Sequence, residues 1–420
     1  MRFLALCLCL TAVVAATPAQ EPEVGTDDVL TLTSGKEVRG TMLLQNAKEI
    51  VVIDTLGRER KIQVKKIKSM RGPRADYPTY LEKLDLVYSA RATAKDAMSF
   101  ALWCQRHGFA AEVNMHYWRA LDLDSNYTPA REKLGHRLGV HVWEVPTPSG
   151  SRLAEVDYFA LRAEKKTPWV FATAHAQVKV SAPLHEALIA AATTERLYGH
   201  MLHHLRQYSP VQELLTPIEV RIFPSRRDAY PESGEAKRGW VDPFSGEVGL
   251  WLDGETVVDL PYATARGYLR AFIRQTSKGE AEGLAGWLDE AIGSYFQVCL
   301  RPTEGLPDYH PGRLDVDLIE RALQNDGPID LDTLLGIGRD GLSDSKDPDG
   351  AYAAAYGLLA WLWSQEDPKR HQDFGKYLES ALEDLSGQSQ FRKAYPKSFQ
   401  RKMEEKWVDF LKKSVLRRDN

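Results

Sequence analysis

Residues 262–297, YATARGYLRAFIRQTSKGEAEGLAGWLDEAIGSYFQ, decide the fold, and their pattern predicts two amphipathic helices joined by a loop rich in Gly, Lys and Glu. On the first predicted helix, Arg266, Arg270 and Arg274 recur at every fourth position and form a cationic stripe beside an apolar face. On the second predicted helix, Glu290 lies at the edge of a wide apolar arc. We therefore expect Glu290 to be partly buried.

The segment GWLDEAIGSYFQ, residues 286–297, resembles the W-L-x-E-G-x-A-x-Y-F helix of the peptidase MA-like, gluzincin-type metallopeptidases. The resemblance implies that Glu290 stands where the family has its third zinc ligand, the other two being His residues of an H-E-x-x-H motif on the preceding helix. This chain has no H-E-x-x-H motif. Counting back from Glu290 by the family's spacing reaches the segment RAFIR, residues 270–274, with Arg270 and Arg274 at the two ligand positions. In a register one helical turn earlier, the two ligand positions are Arg266 and Arg270.

Arginine at the ligand positions excludes the family's zinc chemistry there, because a guanidinium group stays protonated in proteins and offers no lone pair to a metal. We therefore predict a degenerate site without metal or cofactor, in which Arg270, Arg274 or both pair with Glu290. Two neutral His, one Glu and Zn²⁺ carry a net charge of +1, as do two Arg and one Glu. The alternative is that the arginines line a solvated helix face without a partner.

Two other groups of residues are candidates for remnants of a site. His200 and His204 lie four residues apart on a predicted helix and form a fallback metal site, although Met201 stands where a catalytic Glu would be. The simpler interpretation is a solvated or partly packed helix face. Tyr352 and Tyr356 lie near the position of a transition-state-stabilising Tyr that the resemblance implies, or they only pack.

The first residues, 1–19, read as a secretory signal peptide, with one Arg, an apolar run and small residues suited to cleavage. The run is too short to span a bilayer, so we expect an exported protein without a transmembrane segment, in the periplasm, the cell envelope or the extracellular space. Only Cys104 and Cys299 would remain after cleavage, too few for a disulfide scaffold. The sequence leaves open whether these two cysteines pair.

Residues 25–74 contain five short apolar runs separated by turn signals, and they resemble SH3-like or Sm-like barrels. Between Arg58 and Arg74 there are eight Lys or Arg residues and one Glu. This patch suits an anionic polymer or a membrane surface, and export makes nucleic acid the weakest option. The alternative is that the basic residues only protect solvated strand edges. The net charge of −4 gives no sign of a polyanionic partner for the whole chain.

The remaining chain divides into residues 77–145, which resemble one tetratricopeptide-type helical unit, and residues 151–415, which resemble a peptidase MA-like domain. One helical unit cannot bury a repeat core alone, so we expect it to act as a spacer packed on its neighbours. The predicted fold class is multi-domain α+β. It comprises a small barrel, a helical spacer and a mainly helical zincin-like domain with a small sheet.

These features predict an exported, non-catalytic peptidase-like protein that binds a peptide, another protein or an envelope polymer. Two other functions stay open at this point. One is an active metallopeptidase or other hydrolase whose site differs from that of the family, and the second is an envelope assembly scaffold. An enzyme needs a polarising group and a base within reach of one point, which a scaffold does not.

Overall fold

A computed structural model describes most of the chain after residue 26, so the predicted signal peptide at residues 1–19 lies outside the described residues. The described residues are 27–230, 239–242, 245–253, 256–257, 259–279, 281–301, 303, 305–324, 328–338, 342 and 345–416. They form an antiparallel sheet near the N-terminus and a mostly helical region with small sheets behind it. The predicted multi-domain α+β class is therefore confirmed.

The N-terminal sheet has the five strands predicted for residues 25–74, all antiparallel, in the order β4-β3-β2-β1-β5. The strands are β1 (Asp28–Leu32), β2 (Glu37–Gln45), β3 (Glu49–Asp54), β4 (Glu59–Gln63) and β5 (Ile67–Arg71). Alternating residues of these strands bury a small core of their own, which includes Leu30, Met42 and Val52. Gly40 permits close pairing of β2 with β3, because a Cβ atom there would lie 2.0 Å from the Ile53 carbonyl oxygen.

A helical unit follows, and a three-stranded sheet and a short helix close it. The elements are α1 (Tyr77–Val87), α2 (Ala94–Arg106), α3 (Val113–Leu123), α4 (Thr128–Lys133), β6 (Arg137–Leu138), β7 (Trp143–Pro146), β8 (Arg152–Ala154) and α5 (Glu155–Arg162). The segment predicted as one helical unit, residues 77–145, is helical as far as α4 and then ends in β6 and β7, which pair with each other. The helix stops because Gly135 adopts a left-handed conformation, and the chain then turns back at Gly139.

The central sheet has the strand order β12-β13-β11-β10-β9, and β14 pairs with β13. Its strands are β9 (Trp169–Ala172), β10 (Ala176–Val180), β11 (Ile218–Phe223), β12 (Trp240–Val241), β13 (Val248–Asp253) and β14 (Thr256–Val257). The three middle strands are parallel. Parallel strands need a crossover, and α6 (Leu184–Leu205) provides it between β10 and β11, while α7 (Arg226–Ala229) follows β11.

The C-terminal region is built on a long helix that is apolar on all sides, as a fully enclosed helix must be. In chain order its elements are α8 (Leu260–Ser277), α9 (Gly286–Cys299), β15 (Leu300–Arg301), β16 (Asp308–Tyr309), α10 (Val316–Ala322), α11 (Leu331–Gly336), α12 (Pro348–Trp363), α13 (Pro368–Leu382), α14 (Gln388–Ala394) and α15 (Lys397–Leu416). The enclosed helix is α12, which packs against α9.

One continuous apolar core joins the helical unit to the central sheet and to the C-terminal helices, from Tyr77 on α1 to Leu411 on α15. The helical unit thus packs on its neighbours as a spacer would, instead of forming an isolated domain. Cys104 and Cys299 are both free thiols and both are buried in this core. Among the described helices, none combines the length and apolar character that crossing a membrane requires.

Candidate functional site

The helix pair α8 and α9 carries the residues that the sequence singled out. Proline at the start of α8 suits the first turn of a helix, where the missing N–H group costs nothing. The two helices approach closely at Gly293, where a Cβ atom would lie 2.6 Å from a ring carbon of Tyr262. This close contact brings the polar side chains of the two helices within hydrogen-bonding distance.

Two arginines of α8 and two acidic residues of α9 form a buried cluster, called here the charge cluster: Arg266, Arg270, Asp289 and Glu290. The Nη2 atom of Arg270 lies 2.6 Å from Oδ2 of Asp289, and Nη2 of Arg266 lies 2.7 Å from the same oxygen. Nη2 of Arg266 also lies 2.8 Å from Oε1 of Glu290. The exposed fractions of the side chains are only 4% for Arg270, 1% for Asp289, 8% for Glu290 and 13% for Arg266.

The charge cluster is closed by Tyr262, whose hydroxyl group donates a hydrogen bond to Glu290 and accepts one from Nη1 of Arg266 at 3.1 Å. Burial opposes ionisation of Asp289, but Arg266 and Arg270 outweigh it and hold the pKa of Asp289 well below its usual value. Two guanidinium groups therefore face two carboxylate groups, and their formal charges cancel. The arrangement leaves no surplus negative charge to hold a cation.

The cluster differs in detail from the predicted pairing of Arg270 or Arg274 with Glu290. Glu290 pairs with Arg266, one turn earlier, because the helices cross so that Glu290 faces the start of α8. Arg270 is buried against Asp289, and Nη1 of Arg274 donates to the carbonyl oxygen of Ser245 at 3.2 Å. The alternative of a solvated face is wrong for Arg266 and Arg270. Of the two predicted registers, the structure therefore contains the earlier one, in which Arg266 and Arg270 face the acidic residues of α9.

Asp289 was missed because it fills the variable position of the W-L-x-E pattern, which assigns it no role. The feature of the sequence that could have indicated a role for Asp289 is its position directly before Glu290 in a predicted apolar helix. With Asp289 included, the charge cluster is neutral, and the net charge of +1 predicted from two Arg and one Glu is wrong.

His200 and His204 are packed among aromatic rings of the core. The ring of His200 stacks on Tyr309 at 4.4 Å, and the ring of His204 meets the edge of Trp363 at 4.4 Å. Burial lowers the pKa of His200 to about 3 and that of His204 to about 4, so both are neutral. Within the described ranges, no group of three or more His, Cys, Asp or Glu side chains is placed to hold a metal ion.

Tyr352 and Tyr356 lie on α12, and the structure gives Tyr356 a packing role. Its side chain is fully buried, and its hydroxyl group accepts a hydrogen bond from the backbone N–H of Asp315 at 2.9 Å, just before α10. Tyr352 is half-buried at the margin of the same core. The structure thus brings Arg270 and Glu290 into one cluster and places the tyrosine candidates on a different helix.

A second buried polar network surrounds His175, which follows β9, and no sequence motif pointed to it. Nδ1 of His175 lies 2.6 Å from Oε1 of Glu195 on α6, and Nε2 lies 3.7 Å from Oε2 of Glu213, just before β11. Tyr77 donates to Glu195 and Tyr198 donates to Glu213, each at 2.7 Å. The network joins α1, α6 and the central sheet.

The charges of this network compensate one another. Burial lowers the pKa of His175, but Glu195 and Glu213 outweigh it and raise the value to about 9. Burial raises the pKa of Glu213, but His175 and Arg206 lower it to about 2. Arg206 also donates to the carbonyl oxygen of Leu43 on β2, at 3.3 Å, so the network reaches the N-terminal sheet. The burial of His175, Glu195 and Glu213 and the pairing of their charges indicate a structural role.

The basic patch predicted on the N-terminal sheet is narrower than its sequence suggests. Five of its basic side chains lie within 4 Å of a carboxylate: Arg58 and Arg60 at Asp54, Lys61 at Glu59, Arg71 at Glu37 and Arg74 at Asp28. The other three, Lys65, Lys66 and Lys68, are exposed and form no ion pair with the described residues. They are the part of the patch that remains for an anionic polymer.

A cleft with a volume of about 1140 Å³ lies where the start of α8 meets the end of α9. Its walls are the first half of α6, the start of α8, the end of α9 and the segment that leads into α10. This volume is slightly larger than the range of about 300–1,000 Å³ that is usual for ligand pockets.

No known protein family, curated protein or solved structure matches this chain. The resemblance to peptidase MA-like proteins therefore rests on the W-L-x-E helix and on the order of the elements, and it stays a prediction. The chemistry of the two sites does not depend on it. The charge cluster offers neither a metal ligand set nor a free base, whereas the cleft offers space, apolar walls and carboxylates.

Proposed function

We propose that this chain is an exported, non-catalytic protein of peptidase MA-like architecture that binds a peptide. The observation that supports this proposal is the charge cluster on α8 and α9. It occupies the position at which the resemblance expects zinc, and its two guanidinium groups are already paired with its two carboxylates. Residues that would be catalytic in an active relative here serve to join two helices.

Hydrolysis at the cluster lacks both groups that the family's reaction needs. The metal would have to polarise a carbonyl group, and a guanidinium group cannot ligate it. A general base would have to accept a proton from water, but Asp289 accepts hydrogen bonds from two arginines and has a pKa far below neutrality. The charge cluster therefore supports binding without catalysis as the function of the peptidase-like domain.

Metal analysis of the purified protein, combined with a peptidase assay, tests this proposal. We expect no stoichiometric zinc and no hydrolysis of a broad fluorogenic peptide set, with or without a chelator. One tightly bound zinc per chain, together with peptidase activity that a chelator abolishes, would contradict the proposal.

A matched variant tests whether the charge cluster stands in the place of a metal site. In the double variant Arg266→His, Arg270→His, two imidazoles lie one helical turn apart and face Asp289 and Glu290. We expect this variant to gain one zinc per chain that the unmodified protein lacks. A correctly folded double variant that binds no zinc would show that the cluster does not have the geometry of the family's site.

A further inference from the structure

Three residues that line the cleft between α6, α8, α9 and α10 each carry a side-chain oxygen atom without a hydrogen-bond partner among the described residues. The three atoms are Oε2 of Glu186, Oγ1 of Thr193 and Oε1 of Gln297, and all three are inaccessible to solvent. The Thr193 side chain is only 4% exposed. Buried polar atoms are nearly always paired in folded proteins, so three unpaired oxygen atoms on residues of one cleft wall point to a ligand group that pairs with them once these side chains turn toward the cleft.

The orientation of Gln297 makes its oxygen available to such a ligand. Its Nε2 atom donates to Oδ1 of Asp259 at 2.8 Å, which fixes the amide and leaves Oε1 as an acceptor. Glu186 also contributes only acceptor atoms while it is ionised, and the Thr193 hydroxyl can accept. The complementary ligand group is therefore a hydrogen-bond donor.

The charge of the cleft favours a ligand whose hydrogen-bond donor group is cationic. Among the described residues that line it, Glu186, Asp259, Asp315 and Asp317 contribute four carboxyl groups, against the one guanidinium group of Arg313. Low-dielectric walls strengthen the field of such a one-signed cleft and attract the opposite charge. An ammonium or guanidinium group satisfies both the charge and the unpaired acceptors.

The walls between these polar groups are apolar and include Ile189, Leu260 and Leu300. A bare polyamine would leave these surfaces in contact with water, whereas a peptide covers them with neighbouring side chains. The volume of about 1140 Å³ also exceeds what one side chain fills. We propose that this cleft binds a peptide segment in which a Lys or Arg side chain is flanked by apolar residues. The proposal rests on the peptide-binding function proposed above and specifies its site and its ligand class.

The test uses the full-length protein and three matched peptide arrays. The arrays share every flanking sequence and differ only at the central residue, which is Lys, norleucine or Glu. We expect the Lys array to retain at least about tenfold more protein than the norleucine array, since a shielded charge pair is worth that factor or more. The Glu array should retain the least. Equal retention on all three arrays would overturn the proposal.

Variants then locate the binding. Glu186→Gln preserves size and removes one charge, so we expect it to abolish most of the preference for Lys over norleucine; Thr193→Val should weaken binding to a smaller degree. Glu379→Gln, an exposed position on α13, is the control and should leave the preference unchanged. Unfolding midpoints confirm that each variant is folded. A preference that survives Glu186→Gln would place the peptide elsewhere and refute the proposed site.

Two experimental outcomes distinguish a failure of this proposal from a failure of the proposed non-catalytic function. If the Lys peptides bind but are cleaved in a chelator-sensitive reaction, the cleft is right and the non-catalytic function is wrong. If the protein contains no zinc and shows no preference for Lys, the non-catalytic function stands and the cleft proposal fails. Spermidine serves as a probe for a bare amine: binding of spermidine without binding of any Lys peptide would overturn the peptide class.

Discussion

At the scale of single residues, Asp289 is the centre of the charge cluster, because one carboxylate accepts hydrogen bonds from both Arg266 and Arg270. It is also the least exposed member of the cluster. Glu290 and Tyr262 complete the pairing of Arg266, but Arg270 has its ion pair with Asp289. Loss of Asp289 would thus leave a buried guanidinium group without its carboxylate.

We predict that Asp289→Ala lowers the free energy of unfolding by about 3–5 kcal/mol, the usual cost of breaking a buried ion pair from one side. Urea unfolding of the purified variant measures this loss. The control is Asp409→Ala, which removes a partner of Lys413 from an exposed pair on α15 and should cost at most about 1 kcal/mol. Equal costs for the two variants would mean that the charge cluster is solvated.

At the scale of elements, the helix pair α8–α9 depends on close approach at Gly293. The ring carbons of Tyr262 lie 2.6 and 2.9 Å from the position of a Cβ atom there, and the Tyr262 carbonyl oxygen lies 2.9 Å away. The carbonyl oxygen belongs to the backbone of α8, so a side chain at this position must push the two helices apart. The same displacement would separate Arg266 from its two carboxylates.

We predict that Gly293→Ala destabilises the protein by about 1–3 kcal/mol, as overpacking in a tight core does. The matched control is Gly336→Ala at the end of α11, where no atom lies within 4 Å of the added Cβ. Thermal and urea unfolding of the two variants are compared. If Gly293→Ala were as stable as Gly336→Ala, the helices would have to tolerate a wider separation than the structure shows.

The element scale also shows why the sequence predicted the helices better than their contacts. The periodicity of apolar residues is local, so the bounds of α8 and α9 follow from it closely. Which arginine meets which acid depends on how the helices cross at Gly293 and Tyr262, and no local pattern contains that information. The pairing of β6 with β7 was missed because strands of two and four residues leave almost no periodic signal.

At the scale of the whole molecule, the His175 network links parts of the chain that lie far apart in sequence. His175 follows β9, Glu195 is on α6 and Glu213 precedes β11, while Tyr77 comes from α1. No motif spacing connects them, so the network could not be predicted from the sequence. Only the fold brings one imidazole between two carboxylates.

We predict that this network makes the stability of the whole molecule depend on pH above neutrality. The pKa of His175 is about 9 in the folded protein and 6.5 without its partners. Its stabilisation is therefore complete below pH 6.5 and is lost as the pH rises through 9, a loss of about 3 kcal/mol. Glu112, whose pKa burial raises to about 8, adds a further loss between pH 4.5 and 8.

A variant isolates the contribution of His175 from that of Glu112. Unfolding free energies at pH 6.5 and 9 are compared for the unmodified protein, for His175→Gln and for His203→Gln, an exposed control on α6. We expect the unmodified protein and the control to lose about 3 kcal/mol more over this interval than His175→Gln does. Identical pH slopes for all three proteins would show that His175 is not charged in the fold.

Local opening of the molecule can be measured with the two free thiols of the continuous core, because a thiol reagent can label them without the introduction of a new cysteine. Cys104 lies in α2 and Cys299 ends α9, and each is fully buried. Burial raises the pKa of the Cys299 thiol to about 11 and that of Cys104 still further, so the closed protein offers no thiolate to an alkylating reagent. The alkylation rate of Cys104 therefore measures local opening of the helical unit, and the alkylation rate of Cys299 measures local opening of the α8–α9 pair.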